Sequence, residues 1–224
     1  MTNSLSNEIV KEYGLSSGAS IVGIAASADF DSAPDGFKPA DVLGVCRSVI
    51  VLGSPHPREA LKNSVDYTDC RNASLSKMTD IAQKTAKRIT AAGYKAKAIS
   101  GSGGKYLNGE HFGHISLKHA AELAGLGVIG KNYLLISPEY GTLLWLSAVL
   151  TDADLIPDKK AQISVCGSCN KCVEVCPSKA LGNSTSFGKK ECAKFFTMEN
   201  KKFAIKCFLC RTVCPYRFGI KAEE

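Results

Sequence analysis

Two cysteine runs near the end of the chain constrain it more than any other feature. Residues 166–177 read CGSCNKCVEVCP, that is Cys166-x2-Cys169-x2-Cys172-x3-Cys176-Pro177. Residues 207–215 read CFLCRTVCP, the same run without its first cysteine. Aligning the two C-x3-C-P ends puts Ala204 where that cysteine belongs, and Cys192 is the one upstream cysteine available to replace it. Three thiols so closely spaced sit on one tight loop and face three irons of a single cubane, while the fourth, before proline, reaches across to another. A zinc site takes four ligands in two separated pairs, a different spacing. The pattern therefore assigns Cys166, Cys169, Cys172 and Cys214 to a first [4Fe–4S] cluster. Cys176, Cys192, Cys207 and Cys210 go to a second. Two clusters in series conduct single electrons.

The rest of the chain agrees with a reducing compartment. The start, MTNSLSNEIVKEYG, lacks the basic region and apolar run of a signal peptide. No stretch approaches the 18 or so apolar residues of a spanning helix; TLLWLSAVL (142–150) is strand length. A cytoplasmic protein is expected, and there clustered cysteines signal metal or redox chemistry rather than disulfides. Cys46 and Cys70, outside the runs, read as a buried small hydrophobe and a loop thiol. The formal charge of +7 is uneven: residues 159–224 hold 13 Lys/Arg against 5 Asp/Glu, and residues 1–158 net −1. Two oxidised clusters with four thiolates each contribute roughly −2 apiece. The excess thus offsets cluster charge; the alternative is a face for RNA or an acidic protein.

The first 157 residues read as an α+β domain with a mostly hydrophobic sheet, and 158–224 as a ferredoxin-like 2[4Fe–4S] domain. A helix is expected over residues 5–16, capped by Ser4. Buried strands follow at 20–27 and 47–53, with a loop and a short helical turn between them over 31–44. A second helix runs from about Ser76 to Ala92 and closes on Gly93, and YKAKAIS alternates as a strand. GSGGKYLNGEHFG (101–113) reads as a flexible loop or lid. It is not a phosphate-binding P-loop, having neither the four-residue gap before Gly-Lys nor a following Ser/Thr. Residues 116–124 are helical. NYLLIS and TLLWLSAVLT form a hairpin-like pair about a PEYG turn, and DADLIPDKK is a linker. A bare two-cluster carrier needs only the cysteine-rich segment, so the first domain has another role, a substrate or cofactor domain fed by the clusters.

GLGVIGK (125–131) has the Gly-x-Gly-x-x-Gly spacing of a dinucleotide loop, but a helix precedes it and a strand follows, the reverse of that motif's order. His111, His114, Lys118 and His119 lie within nine residues around a helix start. A histidine there can donate a proton near neutral pH; the alternative is a set of surface and capping residues. Glu110 and Tyr106 are the other proton-donor candidates.

The pieces in order resemble epoxyqueuosine reductases and, more distantly, corrinoid reductive dehalogenases. They are GASIVGIA, CRSVIVLG (46–53), AAELAGLGVIGKNYLLISPEYGTLLWLSAVLTDADL (120–155), CGSCNKCVEVCPSKAL and ECAKFF…KCFLCRTVCPYR. Even the displaced Cys192 matches that family's unusual second-cluster ligand. The resemblance implies a nitroreductase-like, corrinoid-processing N-terminal domain holding cobalamin, whose cobalt the clusters would reduce. It also implies that Gly125, Leu126, Gly127, Gly130 and Lys131 line that cofactor. No D-x-H-x-x-G motif is present, so a bound corrinoid is expected base-off, without a protein axial histidine or with one that the sequence does not identify. Two departures stand beside this. The family continues into a helical-repeat region that helps hold tRNA, whereas this chain stops at Glu224. Its acidic proton donor, aligned through Ala124-Gly125-Leu126-Gly127, falls near His111, with Glu110 adjacent. The expected activity is reduction resembling epoxyqueuosine reduction, on a small molecule or modified nucleoside, with tRNA a candidate substrate. Electrons would come from a low-potential ferredoxin or flavodoxin; no membrane and no DNA are involved. The alternatives are a non-catalytic electron-transfer or reductive-activator protein that docks a partner, and a flavin-dependent reductase on the same fold.

Overall fold

The computed structural model describes residues 5–101, 104–107, 110–182, 187–199 and 202–220. Their contacts gather into two compact units that are not successive stretches of chain. One comprises Met1–Ser54, Leu75–Leu126 and Trp145–Ala161; the other Pro55–Ser74, Gly127–Leu144 and Gln162–Glu224.

The first helix, α1 (Asn7–Ser16), begins at Ser6 rather than at the expected Ser4, which lies outside the described residues. The Ser6 Oγ accepts from the Ile9 N–H at 3.4 Å, satisfying an amide that has no partner within the helix. Strand β1 (Ile21–Ala26) follows, then a turn of helix α2 (Pro39–Val42) within the expected loop, and strand β2 (Ser48–Pro55). Helix α3 (Ser64–Ala91) is 28 residues long and starts about three turns before the sequence expectation. The missed signal is Asn63, whose Oδ1 accepts from the N–H groups of Val65 and Asp66 at 3.0 and 2.9 Å. The polar stretch after it shows no clear apolar stripe, so periodicity emerges only downstream. Cys70 consequently lies on a helix rather than in a loop. Gly93 ends α3 with φ +94°, as the C-terminal reading required; its N–H donates to Thr90 O, and that of Tyr94 to Ile89 O.

Strand β3 (Ala96–Ile99) is followed by a short hairpin, β4 (Lys105–Leu107) and β5 (Glu110–Phe112), where a loop was expected. Helix α4 (Leu117–Leu123) precedes the two-residue strands β6 (Val128–Ile129) and β7 (Leu135–Ile136), and β8 (Leu144–Thr151) comes after. The expected pairing of NYLLIS with TLLWLSAVLT does not form: β7 pairs with β6, and the turn retains a single Ser137–Gly141 bridge. β8 instead joins the main sheet, of order β1-β2-β8-β3. Every residue of β2 from Ser48 to Ser54 is buried, and β8 is nearly so. A strand covered on both faces has no reason to alternate, hence the uninterrupted apolar runs. The core of this unit joins Val10, Ile24, Ile50, Leu52, Met78, Ile81, Ile89 and Val149. Each such side chain contributes roughly 1.5–3 kcal/mol of burial.

Residues 152–160 do not form the expected linker. Ala153 and Leu155 are buried, and the Ser48 hydroxyl donates to Ala153 O at 2.8 Å while accepting from Leu155 N–H at 3.0 Å. Asp158 closes the open edge of β1: its carboxylate accepts from Ile24 N–H at 2.9 Å and its own N–H donates to Ile24 O at 2.8 Å. Lys11 Nζ pairs with the same carboxylate at 2.6 Å.

The second unit is built from short pieces: α5 (Lys171–Glu174), α6 (Lys189–Ala193), the hairpin β9 (Phe196–Glu199) with β10 (Lys202–Ile205), and α7 (Leu209–Thr212). Its small apolar cluster sets Ala60, Tyr67 and Ile205 against Leu61, Cys70 and Phe208. Thr68 Oγ1 accepts from Ile205 N–H at 3.0 Å, tying the start of α3 to β10. Among the described residues no helix is long and apolar enough to cross a membrane.

Candidate metal centre

Cys166, Cys169, Cys172 and Cys214 line one pocket, together with Asn132, Lys171, Pro215 and Tyr216. The local fold explains the convergence. Cys166 takes a left-handed φ of +69°, and Cys169 N–H donates back to Cys166 O at 2.8 Å, so the first loop is tight. Cys172 lies on the one-turn helix α5, and Cys214 follows α7 and is buried. Burial pushes the Cys172 thiol above its usual range, and the neighbouring Cys166 and Cys169 add to the rise. The same causes, burial first and then Cys166, Cys172 and Cys169, raise Cys214. Four thiols whose ionised forms repel one another suit a cationic occupant. Among the described residues no three His, Cys, Asp or Glu side chains close around a point that one ion would occupy. A cubane asks for one thiol at each of four separate irons, and this donor set fits it.

Gly130 and Lys131 belong to this centre. A side chain at Gly130 would bring its Cβ to 2.6 Å from Ile136 Cδ1 and 3.3 Å from Cys166 Sγ. The Lys131 N–H donates to Cys166 Sγ at 3.4 Å. Its ammonium donates to Gly167 O, Cys169 O and Asn170 Oδ1 at 2.9, 3.1 and 3.0 Å, clamping the loop that carries the first thiols. Asn132, which sequence reasoning missed, is buried; its Oδ1 accepts from Leu134 N–H and its Nδ2 donates to Cys210 O at 3.5 Å. Nothing local in the sequence distinguishes it from a loop asparagine.

Of the second set, Cys192 lies on α6, and Cys207 and Cys210 flank the start of α7. Burial pushes the Cys210 thiol up to about 11; Arg211 opposes the rise, and Cys192, Cys207 and Cys172 reinforce it. Cys210 thus feels Cys192 and Cys207 of its own set and Cys172 of the first. Cys176 is engaged locally. Burial alone would raise it, but Ser178 Oγ at 3.6 Å and the amides of Leu181, Ala180 and Ser178 outweigh that and hold the thiol below its usual range. Amides aimed at a sulfur favour the thiolate that binds iron.

The expected proton donors fall apart from these cysteines in the chain. Tyr106 pairs with His111 across the β4–β5 hairpin and Glu110 with Leu107, but the side chains of Tyr106, Glu110 and His111 lie outside the described residues. His114 is half-buried ahead of α4. His119 Nδ1 and Ser116 Oγ are 2.6 Å apart at the start of α4; burial, then Lys118, lowers the ring's pKa against Glu122. Gly125 has φ +75°, and a Cβ there would meet Lys159 O at 2.3 Å; one at Gly127 would meet Ile136 O at 2.3 Å. Leu126 is buried, its side chain filling the space that Gly23 leaves open. The close approaches that demand these glycines are made by the chain's own backbone.

No family model matches the chain. It is 28% identical over 200 residues to the epoxyqueuosine reductase of Lactococcus garvieae, covering 83% of this chain and 56% of that protein. It is 36% identical over 120 residues to the epoxyqueuosine reductase of Listeria monocytogenes, covering 48% and 31%. The chain thus spans little more than half the length of these curated relatives. Among solved structures, epoxyqueuosine reductase with an epoxyqueuosine-modified tRNA stem loop superposes at a TM-score of 0.66 and 22% identity, covering 94% of this chain and 64% of that one. A reductive dehalogenase whose structure suggests a mechanism for B12-dependent dehalogenation gives 0.74 and 19%, covering 96% and 32%. The chain has the mixed helix–sheet fold that epoxyqueuosine reductases share with reductive dehalogenases, and in sequence it is similar to the former.

Proposed function

We propose that this chain is an iron–sulfur oxidoreductase in which eight cysteines hold two [4Fe–4S] clusters. The clusters carry single electrons from a ferredoxin or flavodoxin to a corrinoid-type acceptor, for reduction of the kind epoxyqueuosine reductases perform. The observation that carries the reading is the pocket in which Cys166, Cys169 and Cys172 meet Cys214, a partner from the other cysteine run. That crossing is what interleaved ferredoxin runs demand and what a single zinc loop does not. The nitroreductase-like and ferredoxin-like division at residues 157 and 158 belongs to the same proposal.

Bound clusters would supply one-electron transfer. The chain's own residues do the rest. Lys131 fixes the first cysteine loop, amides at Ser178, Ala180 and Leu181 favour the Cys176 thiolate, and Asn132 links the β6–β7 turn to Cys210 O. The corrinoid is supported by the fold shared with a B12-dependent dehalogenase. The residues nominated to line it are engaged within the fold: Gly125, Leu126 and Gly127 in packing, Gly130 and Lys131 at the cysteine loop. The proton donor falls among Tyr106, Glu110, His111 and His114, and the substrate class is a modified nucleoside, in tRNA or free.

Anaerobic reconstitution tests this directly. About eight irons and eight sulfides per chain are expected, with Cys192→Ser and Cys214→Ser each disturbing one cluster. Zinc, or one cluster only, would overturn the assignment. Titration with cobalamin should change the corrinoid spectrum. Intact clusters without such a change would leave an electron carrier and remove the reductase.

A further inference from the structure

Behind the second set of cysteines lies a cation for which the reading so far has no use. Arg211, directly after Cys210, is only 8% exposed, and its Nη1 finds no hydrogen-bond partner among the described residues. Its guanidinium carbon stands 5.8 Å over the Tyr67 ring, and Tyr67 stacks on Phe208 with ring centres 4.8 Å apart. A guanidinium stays charged at any physiological pH, and burying one without an acceptor is costly. Such a group persists only where something anionic answers it.

We propose that Arg211 is the charge partner of the second [4Fe–4S] cluster and sets its reduction potential, with Tyr67 as the residue that positions it. This rests on the two-cluster reading above. A cluster bound by Cys176, Cys192, Cys207 and Cys210 carries net negative charge and sulfur acceptors, the complement that Nη1 lacks. Reduction adds a further negative charge, which a buried fixed cation favours, so Arg211 raises the potential. Arg211 follows Cys210 directly on the one-turn helix α7, so its charge is carried beside that ligand. Tyr67 gives the guanidinium an aromatic face to lie over and Phe208 backs the ring, so the cation is held where water does not screen it. The first centre has a different arrangement. Its cations, Lys171 on the pocket wall and Lys131 on the first cysteine loop, are both exposed, and Lys131 already donates to three oxygens, so solvent screens them. The structure thus assigns unequal charge support to the two clusters, and electrons settle on the second.

The test is a potentiometric titration of reconstituted protein followed by electron paramagnetic resonance, with wild-type iron content measured first. A wild type that does not load two clusters would end the two-cluster reading itself. Given two clusters, Arg211→Gln should lower the potential of the second by at least a tenfold change in electron partition, 59 mV for one electron. The first should not move. Arg211→Lys, which keeps the charge, should recover most of the shift. If the Gln variant loads only one cluster, Tyr67→Leu carries the test, because it retains the charge but frees it towards water, and the second potential should again fall. Two loaded clusters with an unmoved second potential in Arg211→Gln, or in Tyr67→Leu where that variant carries the test, overturn the proposal.

Discussion

His56 makes the second unit acid-sensitive. It is 3% exposed, its Nδ1 lies 2.9 Å from Ser74 Oγ, and the Tyr67 ring meets it edge-on at 6.0 Å. Burial, reinforced by the positive charges of Arg211 and Arg71, lowers its pKa from 6.5 to about 4. The folded chain therefore holds a neutral imidazole where the opened chain binds a proton. Stability from this group is present above the unfolded value near pH 6.5 and is lost as the pH falls towards 4. The full difference is about 3 kcal/mol, and between pH 7 and pH 5.5 the loss is about 1 kcal/mol, roughly a factor of five to ten in the opening equilibrium. Hydrogen exchange of anaerobic, reconstituted protein reads this locally. The His56 N–H, donating to Leu143 O at 3.0 Å, and the Ile205 N–H, donating to Thr68, should lose protection by that factor after correction for intrinsic rates. His56→Gln should abolish the slope whatever its effect at pH 7. Protection that stays flat with pH in the wild type, or falls equally in both proteins, would refute the reasoning.

Three further outcomes follow from the packing. Gly125→Ala forces a Cβ onto Lys159 O at a left-handed φ and should cost at least about 2 kcal/mol, seen as a fall in apparent Tm. Asp158→Ala uncovers the Ile24 N–H on the β1 edge and should cost about 1–2 kcal/mol, nearly all from that hydrogen bond because the Lys11 pair is partly exposed. Lys131→Gln loosens the Cys166–Asn170 loop by about 1.4 kcal/mol, so a chelator should strip iron from the first cluster about tenfold faster and leave the second unchanged.

Some of this was legible before any coordinates. Cysteine spacing grouped Cys166, Cys169 and Cys172 with the distant Cys214, and those four line one pocket. The apolar runs at 20–27 and 47–53 identified two sheet strands, the second buried from Ser48 to Ser54, since a strand covered on both faces does not alternate. Gly93 marked a helix end because a left-handed residue is required there. The start of α3 at Asn63 was hidden by a polar first stretch, and the pairing of β7 with β6 by the equal claim of β8 to be its neighbour.

What the sequence by itself determined was local form and a donor pattern: where cysteines cluster, where strands are buried, where a helix must stop. Only the tertiary structure decided which distant residues share a neighbourhood. It set Lys131 on the Cys166 loop, closed the β1 edge with Asp158, and buried Arg211 against Tyr67 beside Cys210. Spacing along a chain constrains neighbours within a turn or two, whereas contacts between residues far apart in sequence are settled by which surfaces exclude water together.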